Sequence, residues 1–300
     1  MRPQTMMSHP WTPAPDNETL DAARARNIRD ALLEDVGTGD WTAQLVPAGQ
    51  RVQARVIVRE AAVLCGKAWF DGCLLALDAQ AQVLWQHAEG ADMGPGDTVC
   101  EIAADARALL TAERSALNFL QTLSATATLT RQHVRAIENI RAPGRDTPCL
   151  VLDTRKTLPG LRQAQKYAVR VGGGHNQRLA LWHGILIKEN HIAAAGSIAT
   201  VMAQARALDA GVDIQIEVET LDQLEEALAA GATSVLLDNF RPEALRAAVR
   251  QTAGRALLEC SGGVSLSALP ELAATGVDRI SIGRLTKDVR AVDYSMRVVG

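Results

Sequence analysis

Short apolar runs, each ending in polar or charged residues, recur through the second half of the chain. The six runs are CLVLDTRK (149–156), GILIKEN (184–190), DIQIEVE (213–219), SVLLDN (234–239), ALLECSGG (256–263) and RISIGRL (279–285). Apolar residues at helical spacing separate most of them, for example over 198–208, 221–229 and 242–249. Apolar strands that alternate with helices are typical of a buried parallel sheet. The pattern therefore predicts six parallel strands, closed or nearly closed into a (β/α) barrel.

The first half of the chain has a different, mixed pattern. Four prolines within the first fifteen residues predict a disordered leader. Helical spacing over 19–33 predicts an amphipathic helix that ends at the turn 37–40. Strand-like pieces follow at 52–58, 61–64, 83–85 and 98–102. One long helix, or two consecutive helices, over 109–140 would join this small mixed domain to the barrel, and alternation over 294–299 predicts a strand that returns to it.

Composition narrows the classes of function. With 31 Lys+Arg and 34 Asp+Glu, the net charge of −3 gives no overall basic field to attract a nucleic-acid backbone. No apolar stretch approaches the roughly 18 residues of a membrane span, and the start of the chain lacks the apolar core of a signal peptide. The five cysteines include no C-x-x-C pair, and their odd number favours a reducing compartment. We expect a cytoplasmic protein that binds neither nucleic acid nor membrane.

Cations follow the early strands of the predicted barrel. Arg155 and Lys156 come directly after the first strand, and Lys188 comes after the second. The carboxyl ends of parallel barrel strands share one face of the barrel, called the rim below, where active sites form. We expect the glycine run 172–174 to be a flexible loop that brings Arg178 to the same face. Four gathered cations repel one another unless an anion lies between them, so an anionic small molecule is the expected ligand.

Carboxylates and glycines follow the later strands. Glu217 and Asp238 end successive strands, where oxygen ligands suit a sugar hydroxyl or Mg²⁺. The glycine-bearing segments are Ser261, Gly262 and Gly263 after the fifth strand, and Ile282, Gly283 and Arg284 after the sixth. Glycine N–H groups at this place in (β/α) barrels commonly hold a phosphate. The two kinds of rim residue predict a substrate with two different ends.

Salt bridges would explain the same charges without a ligand. Arg155 and Lys156 have acids close by in the sequence, Asp153 and Glu189, and the acids that end later strands would have the cations themselves as partners. No Ser/His/Asp or Cys/His arrangement for nucleophilic catalysis stands out. Both explanations remain open at this point.

Several strings together resemble one family. They are EDVGTGDWT (34–42), ERSALNFLQTLSATAT (113–128), DTRKTLPGLR (153–162), KYAVRVGGGHNQR (166–178), LIKENH (186–191), EVE (217–219), LDN (237–239) and ECSGGV (259–264). In combination they are similar to the quinolinate phosphoribosyltransferases, also called carboxylating nicotinate-nucleotide pyrophosphorylases. The resemblance implies an α/β fold class, an open (β/α) barrel with a smaller amino-terminal α/β sandwich domain. The corresponding division is a disordered leader (1–18), an amino-terminal domain (19–125, with a return strand at 290–300) and a barrel catalytic domain (126–289).

The resemblance also implies a reaction. Members of this family convert quinolinate and phosphoribosyl pyrophosphate into nicotinate mononucleotide, pyrophosphate and CO2, with Mg²⁺ and no organic cofactor, in NAD biosynthesis. The implied assembly is a homodimer, or a larger assembly built from it, in which the first domain of one subunit caps the barrel of the other. Arg114 would then reach across the dimer to quinolinate, although a solvated helix arginine paired with Glu113 is the plainer explanation.

A set of site residues follows from the same motifs. The implied substrate-binding residues are Arg114, Thr154, Arg155, Lys156, Arg178, Lys188, Glu217, Asp238, Ser261, Gly262, Gly263, Ile282, Gly283 and Arg284. Lys156, Lys188, Glu217 and Asp238 form the implied catalytic group, and the two acids would also hold Mg²⁺.

Two departures from the family pattern add three candidate site residues. The family usually has a histidine where this chain has Gln177, with His175 two residues earlier. It usually reads LTHS where this chain reads LTKD, which places Lys287 near the phosphate end. Gln177 still hydrogen-bonds a carboxylate but brings no charge.

Two other functions compete with this interpretation. A Schiff-base aldolase would use Lys188 at the end of its barrel strand to attack a carbonyl. A paralogue that binds a related anion without turning over quinolinate would explain Gln177 and Lys287.

Overall fold

The computed structural model describes residues 17–143 and 147–299, so the predicted leader lies almost wholly outside the described residues. The helices are α1 (Leu20–Val36), α2 (Lys67–Leu77), α3 (Ala106–Ile137), α4 (Arg162–Val171), α5 (Glu189–Ala195), α6 (Ile198–Ala207), α7 (Leu221–Ala229), α8 (Pro242–Thr252), α9 (Leu269–Ala273) and α10 (Arg284–Lys287). The strands are β1 (Arg51–Val58), β2 (Ala62–Val63), β3 (Gln82–Trp85), β4 (Asp92–Met93), β5 (Thr98–Asp105), β6 (Leu150–Leu152), β7 (Ile185–Ile187), β8 (Ile214–Val218), β9 (Ser234–Asp238), β10 (Leu257–Ser261), β11 (Arg279–Ser281) and β12 (Tyr294–Val298). Within the described residues, no helix combines the length and apolar character that crossing a bilayer requires.

The smaller domain is built on an antiparallel sheet with the strand order β12-β1-β5-β3. Val56 sits in its centre, opposite Cys100 on β5 and Met296 on β12. Val56 and its alternate neighbours Ala54 and Val58 are fully or almost fully buried. This period-2 burial is the pattern of a strand with one face on a core. The strand at the carboxyl terminus thus belongs to a sheet formed mostly by the first half of the chain.

A single long helix, α3, joins the two parts of the fold. Its N-cap residue Asp105 accepts hydrogen bonds from the N–H groups of Arg107 and Ala108, which satisfies donors that the first helical turn leaves open. No glycine or proline interrupts the helix, so nothing in its sequence forces a break between consecutive helices. Its first half packs against α2, and further along it contacts α4, α9 and β6.

The larger domain contains a six-stranded parallel sheet with the order β6-β11-β10-β9-β8-β7. β6 and β7 are the two edge strands, and this opening between them is called the seam below. A bridge between Leu152 and His175 brings the segment 175–178 to the β6 side of the seam. The predicted α/β architecture, an open barrel with a smaller α/β domain, is confirmed.

The glycine run before the seam segment is packed, in contrast to the flexible loop expected from the sequence. A Cβ on Gly172 would collide with Ala127 and Thr130 of α3, and one on Gly174 would collide with Thr130 and Val169. Gly173 has a φ of +91°, which side chains rarely adopt. The run is therefore glycine because the chain turns tightly against α3, which fixes the start of the seam segment.

Candidate active site

The carboxyl ends of neighbouring strands bring Lys188 and Glu217 together. Lys188 follows β7 and Glu217 lies near the end of β8, and their Nζ and Oε2 atoms are 2.6 Å apart. Glu217 is largely buried, whereas Lys188 is about half exposed. The salt-bridge explanation therefore holds for Lys188 and Glu217.

Asp238, at the end of β9, is an acid without a cationic partner in hydrogen-bonding contact among the described residues. Burial raises the pKa of its carboxyl, and the nearby charge of Glu217 raises it further, while Lys188 and Lys156 act in the opposite direction. Its Oδ2 accepts a hydrogen bond from Asn239 at 2.8 Å. Asp238, Glu217, Lys188 and Lys156 thus lie within electrostatic reach of one another at the rim.

Three arginines form a second part of the rim. Burial lowers the pKa of Arg155 and the charge of Arg162 lowers it further, while burial and then the charge of Arg155 lower the pKa of Arg178. The side chains of Arg162 and Arg178 bond to neutral oxygens, Thr157 Oγ1 at 3.2 Å and Gly184 O at 2.9 Å. Among the residues that the structure describes, Arg155 Nε is buried and has no hydrogen-bond partner. Within the described residues, none of the three arginines pairs with a carboxylate, so this cluster is prepared for an anion.

Arg162 was missed by the sequence reasoning, although it ends the string DTRKTLPGLR. It lies at the start of α4, and its Nη2 donates to the carbonyl oxygen of Arg155 at 3.4 Å. The signal was a third cation in the same short string, but the loop that folds Arg162 back onto Arg155 is not visible in the sequence.

A buried ion pair holds the segment that leads to the arginine cluster. Asp153 and Lys166 contact each other, and both side chains are 0% exposed. Burial raises the pKa of Asp153 and lowers that of Lys166, while the pairing of the two groups opposes both shifts. Asp153 also accepts hydrogen bonds from Asn176 Nδ2 at 2.6 Å and from the backbone N–H of Gln177 at 2.9 Å. The pair thereby fixes the segment that carries Arg178.

Gly262, which follows β10, lies against Asn239, a second site residue that was not predicted from the sequence. Asn239 N donates to Ser261 O at 2.9 Å, and Asn239 itself has a φ of +58°. A Cβ on Gly262 would collide with the Asn239 side chain. Gly262 and Gly263 have φ values of +103° and +55° and are exposed. Gly262 is therefore required by its contact with Asn239, whereas a Cβ on Gly263 would meet no atom within 4 Å.

The three residues after β11, Ile282, Gly283 and Arg284, differ in burial and in their hydrogen-bond and ion-pair partners. Gly283 lies beside Lys156 and Thr154, and Thr154 Oγ1 accepts the N–H of Lys156 at 3.1 Å. The Ile282 side chain is buried, and the Ile282 N–H already donates to Leu152 O at 2.8 Å. Ile282 therefore offers a phosphate neither its side chain nor its N–H. Arg284 pairs with Asp288 at 3.0 Å. Of this segment, Gly283 offers the most direct approach to the rim.

The remaining candidates lie apart from these groups. His175 is exposed, and its backbone pairs with Val151 and Asp153 beside β6. Lys287 is exposed at the end of α10. Arg114 is exposed on α3 and faces a cavity lined by α1, α3 and the loop 159–161. Within the part of the chain that the structure describes, Arg114 makes no ion pair with Glu113 or any other acid.

Known proteins share both the sequence and this arrangement. Residues 40–124 match the quinolinate phosphoribosyl transferase N-terminal domain, and residues 126–297 match the corresponding C-terminal domain. The chain belongs to the quinolinate phosphoribosyltransferase family.

Relatives of this family match almost the whole chain. The nicotinate-nucleotide pyrophosphorylase [carboxylating] of Mycobacterium leprae is 43% identical over 287 residues, which cover 92% of this chain and 97% of that protein. The probable enzyme of the same name from Bacillus subtilis is 41% identical over 268 residues, 89% of this chain and 90% of its own length. The solved structure of the nicotinate-nucleotide pyrophosphorylase from Francisella tularensis superposes with a TM-score of 0.88 at 40% identity, covering 96% of this chain and all of the other.

The acids of this quinolinate phosphoribosyltransferase fold fit a metal that arrives with a substrate. Within residues 17–143 and 147–299, no three His, Cys, Asp or Glu side chains gather as a metal site. Mg²⁺ at phosphate sites is usually held by one or two carboxylates, and substrate oxygens supply other ligands. Glu217 and Asp238 are two carboxylates close enough for the charge of Glu217 to raise the pKa of Asp238. The donor set suits a magnesium–phosphate complex better than a resident metal.

The buried ion pair gives a prediction for stability. Lys166→Met should leave the Asp153 carboxylate buried without its cation and lower the free energy of unfolding by about 3–5 kcal/mol in urea denaturation. Arg255→Ala is the control, because Arg255 pairs with Glu225 at 3.4 Å with both side chains about half exposed. That change should cost less than about 1 kcal/mol. Equal decreases in the free energy of unfolding of the two variants would show that the buried Asp153–Lys166 pair stabilises the fold no more than an exposed ion pair does.

Proposed function

We propose that the chain is a quinolinate phosphoribosyltransferase, which forms nicotinate mononucleotide, pyrophosphate and CO2 from quinolinate and phosphoribosyl pyrophosphate. The observation that carries the proposal is the cluster of Arg155, Arg162 and Arg178, whose guanidinium groups have no carboxylate partner among the described residues. Quinolinate supplies two carboxylates on adjacent ring positions, which matches a cluster of planar cations. Family membership supports the same activity.

The sugar end of the substrate would lie on the other side of Lys188. Glu217 and Asp238 provide the carboxylates for ribose hydroxyls and for Mg²⁺, which neutralises pyrophosphate charge when it is bound. Gly262, Gly263 and Gly283 leave room for the 5′-phosphate to approach the backbone. Lys156 lies between the two ends, since it contacts Gly283 and influences Asp238.

The chemistry requires positioned charge more than a protein nucleophile. The ring nitrogen of quinolinate attacks the anomeric carbon of the ribose. The bond between that carbon and pyrophosphate breaks at the same time, and its electron pair leaves with pyrophosphate. The ribosylated nitrogen is positive and stabilises the carbanion that remains when the adjacent carboxylate leaves as CO2. A proton from solvent then takes the place of CO2 on that carbon, which gives nicotinate mononucleotide. Lys156 and Lys188 are placed to stabilise negative charge during these steps, and the arginines hold the ring in orientation.

The aldolase alternative is disfavoured by the surroundings of Lys188. Its Nζ lies 2.6 Å from Glu217 Oε2, beside a carboxylate and not in an apolar pocket. Schiff-base formation needs a neutral amine, which enzymes usually obtain by placing lysine in an apolar pocket or beside another cation.

We also propose that the active enzyme is a dimer and that it acts in the cytoplasm. The exposed Arg114, unpaired within the described residues, supports an active site shared between subunits. The absence of disulfides among the five cysteines of the described chain supports a reducing compartment.

The direct test of the function is product formation. The chain is incubated with quinolinate, phosphoribosyl pyrophosphate and Mg²⁺, and nicotinate mononucleotide is followed by chromatography. The proposal requires product that depends on all three additions. No product from a folded chain would rule the assignment out.

Asp238→Asn tests the assignment of the acids. Asparagine keeps the size and an acceptor for Asn239, but it removes the charge at the sugar and metal end. We expect Mg²⁺-dependent binding of phosphoribosyl pyrophosphate to weaken by about ten- to a hundredfold, since one charge-assisted contact is worth about 1.5–3 kcal/mol. Quinolinate binding to the free enzyme should stay within about twofold, measured by calorimetry. If both ligands weaken alike, Asp238 has a structural role instead.

A further inference from the structure

A continuous chain of polar side chains crosses the interior of the barrel below the rim. Gln177 Nε2, on the seam segment, donates to Gln215 Oε1 of β8 at 2.8 Å. Gln215 Nε2 donates to Glu259 Oε2 of β10 at 2.9 Å, and Glu259 pairs with Arg279 of β11 at 3.0 Å. These four residues are called the relay below.

The relay is buried where it crosses the barrel. Glu259 is 0% exposed and Gln215 is 6% exposed. Amides in such a place are costly unless they are bonded, so the Gln177–Gln215 link holds both side chains in one orientation. Because the sheet is open between β6 and β7, this link ties the seam segment to strands on the far side of the barrel.

The backbone of Gln177 is fixed from the opposite side. Its N–H donates to Asp153 Oδ1 at 2.9 Å, and its carbonyl oxygen accepts Lys166 Nζ at 2.9 Å. The next residue along the chain is Arg178, whose guanidinium belongs to the arginine cluster. A shift of Gln177 would therefore move the start of Arg178 relative to Arg155.

We propose that Gln177 is a positioning residue, which acts through the Gln177–Gln215–Glu259–Arg279 relay to hold the seam segment and thereby the quinolinate-binding Arg178. The side-chain amide of Gln177 is directed to Gln215, in contrast to the direct carboxylate contact considered from the sequence. The neutral amide makes this link without a group that titrates near neutral pH. The link to quinolinate rests on the proposed function, whereas the tie across the seam does not.

Three variants isolate the relay: Gln215→Leu, Gln177→Leu and the double variant. Leucine keeps much of the volume and removes the amide at each end of the link. Gln251→Leu is the matched control, because the Gln251 amide also makes two hydrogen bonds, to Leu221 O and Glu225 Oε2, but on α8 away from the seam. Thermal melting identifies variants that do not fold, and Gln177→Leu tests the same link from the seam side if Gln215→Leu is one of them.

The first readout is hydrogen exchange of the backbone N–H groups over 175–178. Exchange should rise at least about fivefold in Gln215→Leu, roughly the effect of losing one buried hydrogen bond, and should not change in Gln251→Leu. This readout does not depend on activity. It therefore still tests whether the relay holds the segment 175–178 if the wild-type chain makes no nicotinate mononucleotide and the proposed function fails. Unchanged exchange at the seam would overturn the relay.

The second readout separates binding from chemistry. Each single change should raise the KM for quinolinate about five- to tenfold, with kcat and the KM for phosphoribosyl pyrophosphate within about twofold of wild type. The double variant should match the single variants, because both break one link. A large effect of Gln177→Leu with none from Gln215→Leu would mean that Gln177 contacts substrate directly. Faster exchange with an unchanged KM would overturn the claim that the relay positions Arg178.

Discussion

Quinolinate is expected to bind the chain about ten- to a hundredfold more tightly than nicotinate, which lacks the second carboxylate. Each charge-assisted hydrogen bond lost is worth about 1.5–3 kcal/mol, and 1.4 kcal/mol corresponds to a factor of ten. Arg155 supplies the physical reason, because its buried Nε has no hydrogen-bond partner among the described residues and a bound carboxylate would provide one. Calorimetry with the two acids measures the difference.

Arg155→Leu should reduce this preference to less than about threefold. The folded variant should melt at the same temperature as the wild type or above it, because the change relieves repulsion from Arg162 and Arg178. Arg246→Ala serves as the control, since Arg246 lies on α8 and its contacts are with Glu243 and Glu271. Equal affinities of the wild-type chain for quinolinate and nicotinate would remove the main argument for the anion site.

Mixing two inactive variants is expected to restore activity. Arg114→Ala and Lys188→Ala should each reduce turnover by about ten- to a hundredfold or more, since a charged contact to the reacting substrate is worth about 1.5–3 kcal/mol, and more when it is desolvated. In a heterodimer, one site combines both defects, and the other takes intact Arg114 from one subunit and intact Lys188 from its partner. Reassorted mixtures should therefore approach one wild-type site per heterodimer.

The controls in this experiment concern assembly. Differently tagged subunits show by native mass spectrometry whether heterodimers form, and each variant is also mixed with itself. If heterodimers form and no activity returns, Arg114 does not act in the neighbouring barrel. Activity in the sample that contains only Arg114→Ala subunits would show that Arg114 is not required.

The parts of the fold that could be predicted are those with a strong local pattern. The apolar runs that end at Asp153, Lys188 and Asp238 correspond to β6, β7 and β9, because strands buried on both faces need continuous apolar side chains. Placing their polar ends on one rim required only the rule that parallel strands share a direction.

The supporting contacts could not be predicted in the same way. Asp153 is next to the rim in sequence but is buried with Lys166, and no local pattern distinguishes it from an exposed carboxylate. Arg162 joins Arg155 through the fold of a loop, and the glycines at 172–174 reflect the surface of α3. Such features depend on contacts between segments distant in sequence, which periodicity does not encode.

The most direct test of the proposed reaction is the stoichiometry of CO2 and pyrophosphate release in the presence of quinolinate. Quinolinate labelled in the carboxylate adjacent to the ring nitrogen is supplied with phosphoribosyl pyrophosphate and Mg²⁺, and both released products are counted against nicotinate mononucleotide. Equal amounts of all three products are expected, with no comparable turnover when nicotinate replaces quinolinate. Pyrophosphate release without CO2, or equal turnover of nicotinate, would contradict the proposed reaction.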